Sequence, residues 1–85
     1  MRQDDIRKEI LLQLYATRPI ALTAERIQRD AKKQAYDYSL TEVKQELQFL
    51  ADEGLIFVIE DKGATTRLYR IHASGVRHYE QNFAA

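Results

Sequence analysis

The chain has 85 residues, and its 13 basic and 13 acidic side chains leave no formal net charge. A composition of 45% hydrophobic and 31% charged residues is typical of a globular protein and excludes an intrinsically disordered one. The length predicts a single domain, residues 1–85, with a thin hydrophobic core.

Cysteine is absent, which excludes disulfides and thiolate metal sites. The first ten residues, MRQDDIRKEI, are polar, and no apolar run is long enough to span a bilayer. We therefore expect no signal peptide, no membrane segment and a cytoplasmic location. The neutral charge counts against a nucleic-acid partner, because such proteins usually carry a basic excess.

The first predicted helix runs from about Asp5 to Thr17. Asp4 and Asp5 suit a helix N-terminus, and Pro19 ends the helix because the residue before a proline is pushed out of the helical conformation. One apolar face consists of Ile6, Ile10, Leu11 and Leu14, and a second consists of Leu12, Tyr15 and Ala16. A helix that is apolar on both sides must be covered on both sides.

The second predicted helix begins after Thr23, a good N-cap residue, and runs to about Ala35. Its small-residue face, which allows close packing, consists of Ala24, Ile27, Ala31 and Ala35. Its outer face is basic and consists of Arg26, Arg29, Lys32 and Lys33. Tyr36 and Tyr38 follow in the turn, where they either pack the turn or reach phosphates through their hydroxyls.

The third predicted helix covers residues 40–53. Ser39 and Glu42 form the pattern of a capping box, and Gly54 stands where a left-handed residue ends a helix. The core-facing residues repeat at spacings of three and four, and they are Leu40, Val43, Leu47 and Leu50. Four carboxylates against Lys44 alone give residues 38–57 a net charge of −3, and they are Glu42, Glu46, Asp52 and Glu53.

Two β-rich runs, LIFVIE (55–60) and TRLYRIH (66–72), predict a hairpin whose turn contains Gly63. Tyr69 and Ile71 share one face of the second strand. A short final helix carries an apolar stripe of Val76, Tyr79 and Phe83, which is well placed to cover the second face of the first helix. Two alternatives are open for Leu12 and Tyr15 of that second face and for the stripe. They either pack against each other within the chain or form a dimer interface.

This order of three helices followed by a two-stranded wing resembles the winged helix-turn-helix superfamily. VKQELQFLADEGLI resembles the family's recognition helix running through Gly54 into the wing, and LYRIHASGVRHYE is similar to the return strand and following helix of MarR- and PadR-type regulators. His72 stands where a threonine cap is common, so we expect the last helix to begin at Ser74. The resemblance covers roughly residues 5–80 and implies an α+β, mostly α fold.

The resemblance implies a small bacterial or phage regulator that binds double-stranded DNA in transcription control, often as a homodimer. The third helix would enter the major groove, the second helix would contact phosphates, and the wing would touch the flank. The residues at the matching positions are Thr41, Lys44, Gln45 and Gln48 on the third helix and Lys62 and Arg67 on the wing.

Phe49 lies on the outer side of the third helix, where a DNA reader usually carries a polar residue. It either packs against the wing strands or Tyr38, or it is an anchor for a protein partner. The alternative function is therefore a winged-helix protein-interaction module that uses Phe49 and the acidic outer edge of the third helix.

Enzyme chemistry is not expected. His72 and His78 lack a third ligand at metal spacing, no nucleophile, histidine and carboxylate pattern is present, and the three glycines form no phosphate-binding loop. We expect no metal and no cofactor.

Overall fold

The computed structural model describes residues 2–60, 63 and 65–83. Within these residues the chain is mostly helical, with four helices and one antiparallel hairpin, as the sequence predicts. In chain order the elements are α1 (Arg2–Thr17), α2 (Ala24–Lys33), α3 (Leu40–Asp52), β1 (Ile56–Glu60), β2 (Arg67–Ile71) and α4 (Ala73–Asn82). No helix among the described residues combines the length and the apolar character that crossing a membrane requires.

The core forms around the predicted first face of α1. Ile6, Ile10, Leu11 and Leu14 are each at most 1% exposed. They pack with apolar residues of the next two helices, which include Ile27, Val43, Leu47 and Leu50. Each such side chain contributes roughly 1.5–3 kcal/mol by leaving water, so this cluster is the main source of stability.

Helix α1 begins at Arg2, earlier than the predicted Asp5. The Arg2 guanidinium donates to both carboxylate oxygens of Glu42, at 2.5 and 3.0 Å, and to the carbonyl of Asp37 at 2.8 Å. These bonds hold the first turn against the start of α3. Because the partners are about 40 residues apart, local sequence pattern does not reveal this extension.

Helix α2 has the predicted cap, since the Thr23 hydroxyl accepts from the Arg26 N–H at 3.1 Å. It ends at Lys33, however, and the expected place of Ala35 on the buried face is wrong. Ala35 has a φ of +68° and is exposed. The N–H groups of Ala35 and Tyr36 donate to the carbonyls of Lys32 and Ala31, a Schellman ending that turns the chain toward α3.

Helix α3 is bounded as predicted. The Ser39 hydroxyl accepts from the Glu42 N–H at 3.0 Å, and the Glu42 carboxylate accepts from the Ser39 N–H at 3.1 Å, which completes the capping box. Gly54 has a φ of +75°. The Leu55 N–H then donates to the Leu50 carbonyl, so the chain leaves α3 directly into β1.

The hairpin has Ile56 opposite Ile71 and Glu60 opposite Arg67. The buried faces of Tyr69 and Ile71 confirm that they share the inner side of β2. On its other edge, β2 is bonded to Leu22, whose N–H and carbonyl each bond to Tyr69 at 2.8 Å. Strand β2 is therefore paired on both edges.

Helix α4 begins at Ala73, and the predicted start at Ser74 is wrong. His72 is the N-cap, with its Nδ1 accepting from the Ser74 N–H at 3.1 Å. The Ser74 hydroxyl donates instead to the Gly54 carbonyl at 2.6 Å, which ties α4 to the end of α3.

Helix α4 covers the second face of α1 at Tyr15, while Ala16 of that face is exposed. The rings of Tyr15 and Tyr79 stack at 4.4 Å, Phe83 lies 5.8 Å from Tyr79, and the Tyr15 hydroxyl donates to Glu80 at 2.9 Å. Leu12 and Val76 are half-buried. Of the residues that the sequence also offered as a dimer interface, Tyr15, Val76, Tyr79 and Phe83 pack within the chain, whereas Leu12 lines a separate groove with Tyr36 and Tyr38.

Gly75→Ala tests the close approach of α4 to the chain before β1. A Cβ at Gly75 would lie 2.1 Å from the Leu55 carbonyl oxygen and 2.8 Å from Ile71 Cγ1. We expect a loss of about 2–3 kcal/mol in the free energy of unfolding, measured by urea denaturation. Gly54→Ala is the comparison, since it meets open space and strains only the left-handed backbone, at about 1–2 kcal/mol. A stabilised Gly75→Ala, as helix propensity alone predicts, would contradict this packing.

Glu42→Gln tests the contact between α1 and α3 as a function of pH. The hydrogen bond from Arg2, with that from the Ser39 N–H, lowers the pKa of Glu42 from 4.5 to about 2. Its carboxylate therefore stabilises the fold fully above about pH 4.5, and this contribution is lost as pH falls toward about 2. The gap in urea midpoint between wild type and Glu42→Gln should shrink over this range. Glu25→Gln, on an exposed part of α2, is the control, and a pH-independent gap for Glu42→Gln would refute the assignment.

Candidate nucleic-acid interface

A groove of about 630 Å³ lies between the start of α2, the outer side of α3 and the start of β2. Residues predicted as DNA contacts line it together, and they are Thr41, Lys44, Gln45, Gln48 and Arg67. The α3 residues face this way because Val43, Leu47 and Leu50 hold the opposite side of the helix in the core. Helix α3 and strand β2, which are separated in the sequence by β1 and the hairpin turn, thus meet at one concave surface.

The groove contains both hydrogen-bond donors and acceptors. Lys44 is a cation, Thr41 and Gln45 each carry a donor and an acceptor, and Glu25 at the start of α2 adds a carboxylate. Arg67 is paired with Glu60 at 2.7 Å, although the Arg67 side chain stays 56% exposed. An exposed pair of this kind is weak and can exchange for another anion.

Gln48 is oriented by Asp52. Its Nε2 donates to Asp52 Oδ1 at 2.9 Å. An ionised carboxylate can only accept, so the amide nitrogen must face Asp52 and Gln48 Oε1 must face the other way. Asp52 therefore turns Gln48 Oε1 away from itself as an acceptor, while the second hydrogen of Nε2 remains a donor.

The acidity of α3 is mostly directed away from the groove. Glu42 is bound by Arg2 and by its own capping box. Glu46 is buried and paired with Arg7 at 2.6 Å. Asp52 holds Gln48, and Glu53 lies exposed at the far end of the helix. The net charge of −3 on residues 38–57 therefore does not describe the face of α3 that lines the groove.

The basic face of α2 is divided by Asp30, a residue absent from the predicted phosphate contacts. Asp30 lies 3.7 Å from both Arg26 and Lys33. Within the described part of the chain, Arg29 and Lys32 are exposed and make no ion pair. The spacings of four and three residues around Asp30 were a signal from which these pairs could have been predicted.

The turn before α3 is packed by its tyrosines. Tyr36 and Tyr38 stack at 5.5 Å, and Tyr38 is buried while Tyr36 is 43% exposed. Burial, together with the nearby Asp5 carboxylate, raises the pKa of the Tyr38 hydroxyl. Packing of the turn thus accounts for Tyr38. Lys62, predicted at the wing tip, lies outside the described residues.

Phe49 is 37% exposed, and the Arg7 guanidinium lies 3.6 Å from the centre of its ring. Arg7 therefore contacts two residues of α3, the Glu46 carboxylate and the Phe49 ring. Sequence reasoning missed this contact, because Arg7 is about 40 residues from both partners. Phe49 also lines a second groove, of about 620 Å³, between α1, α3 and α4, with Asp4 and Glu53 at its rim.

Arg7 variants test the contact between α1 and the outer part of α3. Arg7→Met should lower the free energy of unfolding by about 2 kcal/mol, because a buried Glu46 carboxylate loses its partner. Arg7→Lys should lose less, since it keeps the charge. Adding Glu46→Gln to Arg7→Met should recover part of the loss in urea denaturation. Equal stability of Arg7→Met and wild type would contradict a stabilising pair.

Among residues 2–60, 63 and 65–83, no group of three or more histidine, aspartate or glutamate side chains is arranged to hold a metal ion. Comparisons of the chain with models of protein families, with curated proteins and with solved structures found no match.

Proposed function

We propose that the protein is a winged helix-turn-helix regulator of transcription that binds double-stranded DNA. The observation that carries the proposal is the shared groove, where Thr41, Lys44, Gln45 and Gln48 of α3 meet Arg67 of β2. A helix and an adjacent strand that present polar side chains to one concave surface are the parts that a winged helix uses on a duplex.

The order of the elements supports this fold. Gly54 turns the chain from α3 into β1, so the hairpin flanks α3 as a wing. The turn after Lys33 sets α2 before α3, in the relation of a positioning helix to a recognition helix.

The polar residues of α3 have the chemistry of base readers. Lys44 suits the O6 and N7 acceptors of guanine, and Gln45 suits the N6 and N7 of adenine. Gln48, with its oxygen turned from Asp52, suits an exocyclic amine of cytosine or adenine. Three such contacts are enough to distinguish base pairs in the major groove.

Phosphate contacts come from α2. Arg29 and Lys32 are exposed and carry the charge that Asp30 does not neutralise. Each phosphate that they neutralise releases condensed counterions, which supplies affinity without sequence preference. A few such phosphate contacts supply affinity for DNA even though the net charge of the chain is zero.

A protein-interaction module is the second candidate function. It is favoured by Phe49, which lines the groove between α1, α3 and α4 beside Glu53. An aromatic residue within a partly acidic groove suits a partner with an apolar and basic surface.

Salt-dependent binding to a mixed-sequence duplex tests DNA binding. The affinity should fall as salt rises, and Arg29→Ala with Lys32→Ala should reduce the slope of log affinity against log salt by about 1.8, or 0.9 for each lost phosphate contact. Arg26→Ala with Lys33→Ala is the matched control of equal charge, and it should change the slope less because Asp30 already pairs with both.

Binding should be measured by fluorescence anisotropy, with circular dichroism to verify that each variant is folded. Wild-type protein that does not bind at low salt would overturn the proposal and favour the interaction module. Equal losses in the two double variants would contradict the assigned role of Asp30.

A further inference from the structure

Strand β1 exposes apolar side chains on both of its faces. Phe57, Val58 and Ile59 are 40%, 37% and 39% exposed, and Leu68, opposite Ile59, is 37% exposed. A strand at a protein surface normally alternates apolar and polar residues. The sequence of β1, IFVIE, contains neither the lysine nor the proline that usually protects an open edge.

Among the described residues, no partner pairs with the backbone groups of β1 at that edge. Tyr69 directs its N–H and carbonyl toward Leu22, away from β1. In an antiparallel pair the bonded and non-bonded positions alternate, so Val58, opposite Tyr69, is not bonded within the hairpin. Its N–H and carbonyl point to the open edge, and by the same alternation so do those of Ile56 and Glu60.

We propose that this edge pairs with β1 of a second copy of the chain, antiparallel and centred on Val58. Val58 then lies opposite Val58 of the copy, and Ile56 lies opposite Glu60 of the copy. Both are hydrogen-bonded positions, so every outward N–H and carbonyl of the three residues gains a partner. The two hairpins join into a four-stranded sheet, which is more stable than an isolated hairpin.

Side chains and charges fit this register. Phe57 lies opposite Ile59 of the copy, and aromatic and β-branched residues pair favourably across strands. The single charge of β1, on Glu60, is matched by Arg67 at 2.7 Å within each hairpin. The two Glu60 residues lie about 14 Å apart along the seam, at about 3.4 Å per residue. The neutral, apolar seam therefore complements itself and offers no attraction to a strongly acidic or basic partner.

This interface is distinct from the tyrosine stack between α1 and α4, and it does not depend on DNA binding. In this dimer the groove between α3 and β2 stays open on each copy, because the pairing uses the edge of β1 that faces away from β2.

Val58→Pro tests the interface with little cost to the monomer. Proline removes an N–H that points to the open edge and takes no bond from the hairpin. By sedimentation equilibrium, the wild-type mass should rise with concentration from 9.9 kDa toward twice that value, whereas Val58→Pro should stay at 9.9 kDa with an unchanged circular dichroism spectrum. Ile20→Lys is the control, since Ile20 is 62% exposed and lies outside the hairpin. It should associate as wild type does.

Amide hydrogen exchange gives a second measurement at the same positions. The Val58 and Glu60 N–H groups should become more protected as protein concentration rises, while the Leu68 N–H should not change. If Val58→Pro disturbs the hairpin, Val58→Lys replaces it, because a charge at the seam opposes pairing without altering the backbone. A wild type that stays monomeric at millimolar concentration, or variants at Val58 that still dimerise, would overturn the proposal.

Discussion

The structure depends on one constraint: α1 is apolar on both sides and must be covered on both. The helix packs against α2, α3, β2 and α4. Its first face builds the core with Ile27 and Leu47, and α4 covers Tyr15 of its second face through Tyr79. Its two buried polar residues bond to each other, since Gln13 Nε2 donates to Glu9 at 2.6 Å and also to the Ile27 carbonyl at 3.0 Å. Four of the other elements are positioned by contacts with this helix, and β1 is positioned by α3 and β2.

The same helix determines which charges of α3 reach the surface. Arg2 and Arg7 approach α3 from one side and bind Glu42 and Glu46 there. These carboxylates are consequently held on the side that faces α1. The side that faces the wing is left with Lys44, with uncharged polar groups and, at its far end, with Asp52 beside Gln48. Residues 38–57 are acidic overall, but two of their carboxylates, Glu42 and Glu46, do not face the groove. The reason is that they pair with Arg2 and Arg7 of α1 on another side of α3.

The hairpin has two unequal edges, and both have consequences. Leu22 occupies the outer edge of β2, which fixes the hairpin against the loop before α2 and places Arg67 beside α3. The outer edge of β1 has no such partner within the described residues. One edge therefore builds the groove, and the other presents unpaired backbone beside Phe57 and Ile59. The proposed functions follow from this asymmetry and lie on different parts of the hairpin.

Local patterns in the sequence determined the elements and several of their ends. Ser39, Glu42 and Gly54 bound α3 through hydrogen bonds and backbone angles that span only a few residues, so sequence spacing is sufficient to predict them. The outward set of Thr41, Lys44, Gln45 and Gln48 was predictable for the same reason, since helical periodicity separates it from the core. The cap of α4 was not, because Ser74 is drawn to the Gly54 carbonyl, 20 residues away.

Only the tertiary structure decided how the charges are paired and which surfaces stay open. Arg7 meets Glu46 and Phe49 across about 40 residues, and Leu22 meets Tyr69 across a similar distance. Such contacts arise because packing around α1 brings distant segments together, and no local spacing encodes them. The sequence by itself determined the helices, the hairpin and the polar face of α3. The tertiary structure decided that Glu42 and Glu46 lie away from this face, because ion pairing with Arg2 and Arg7 of α1 holds them on the other side.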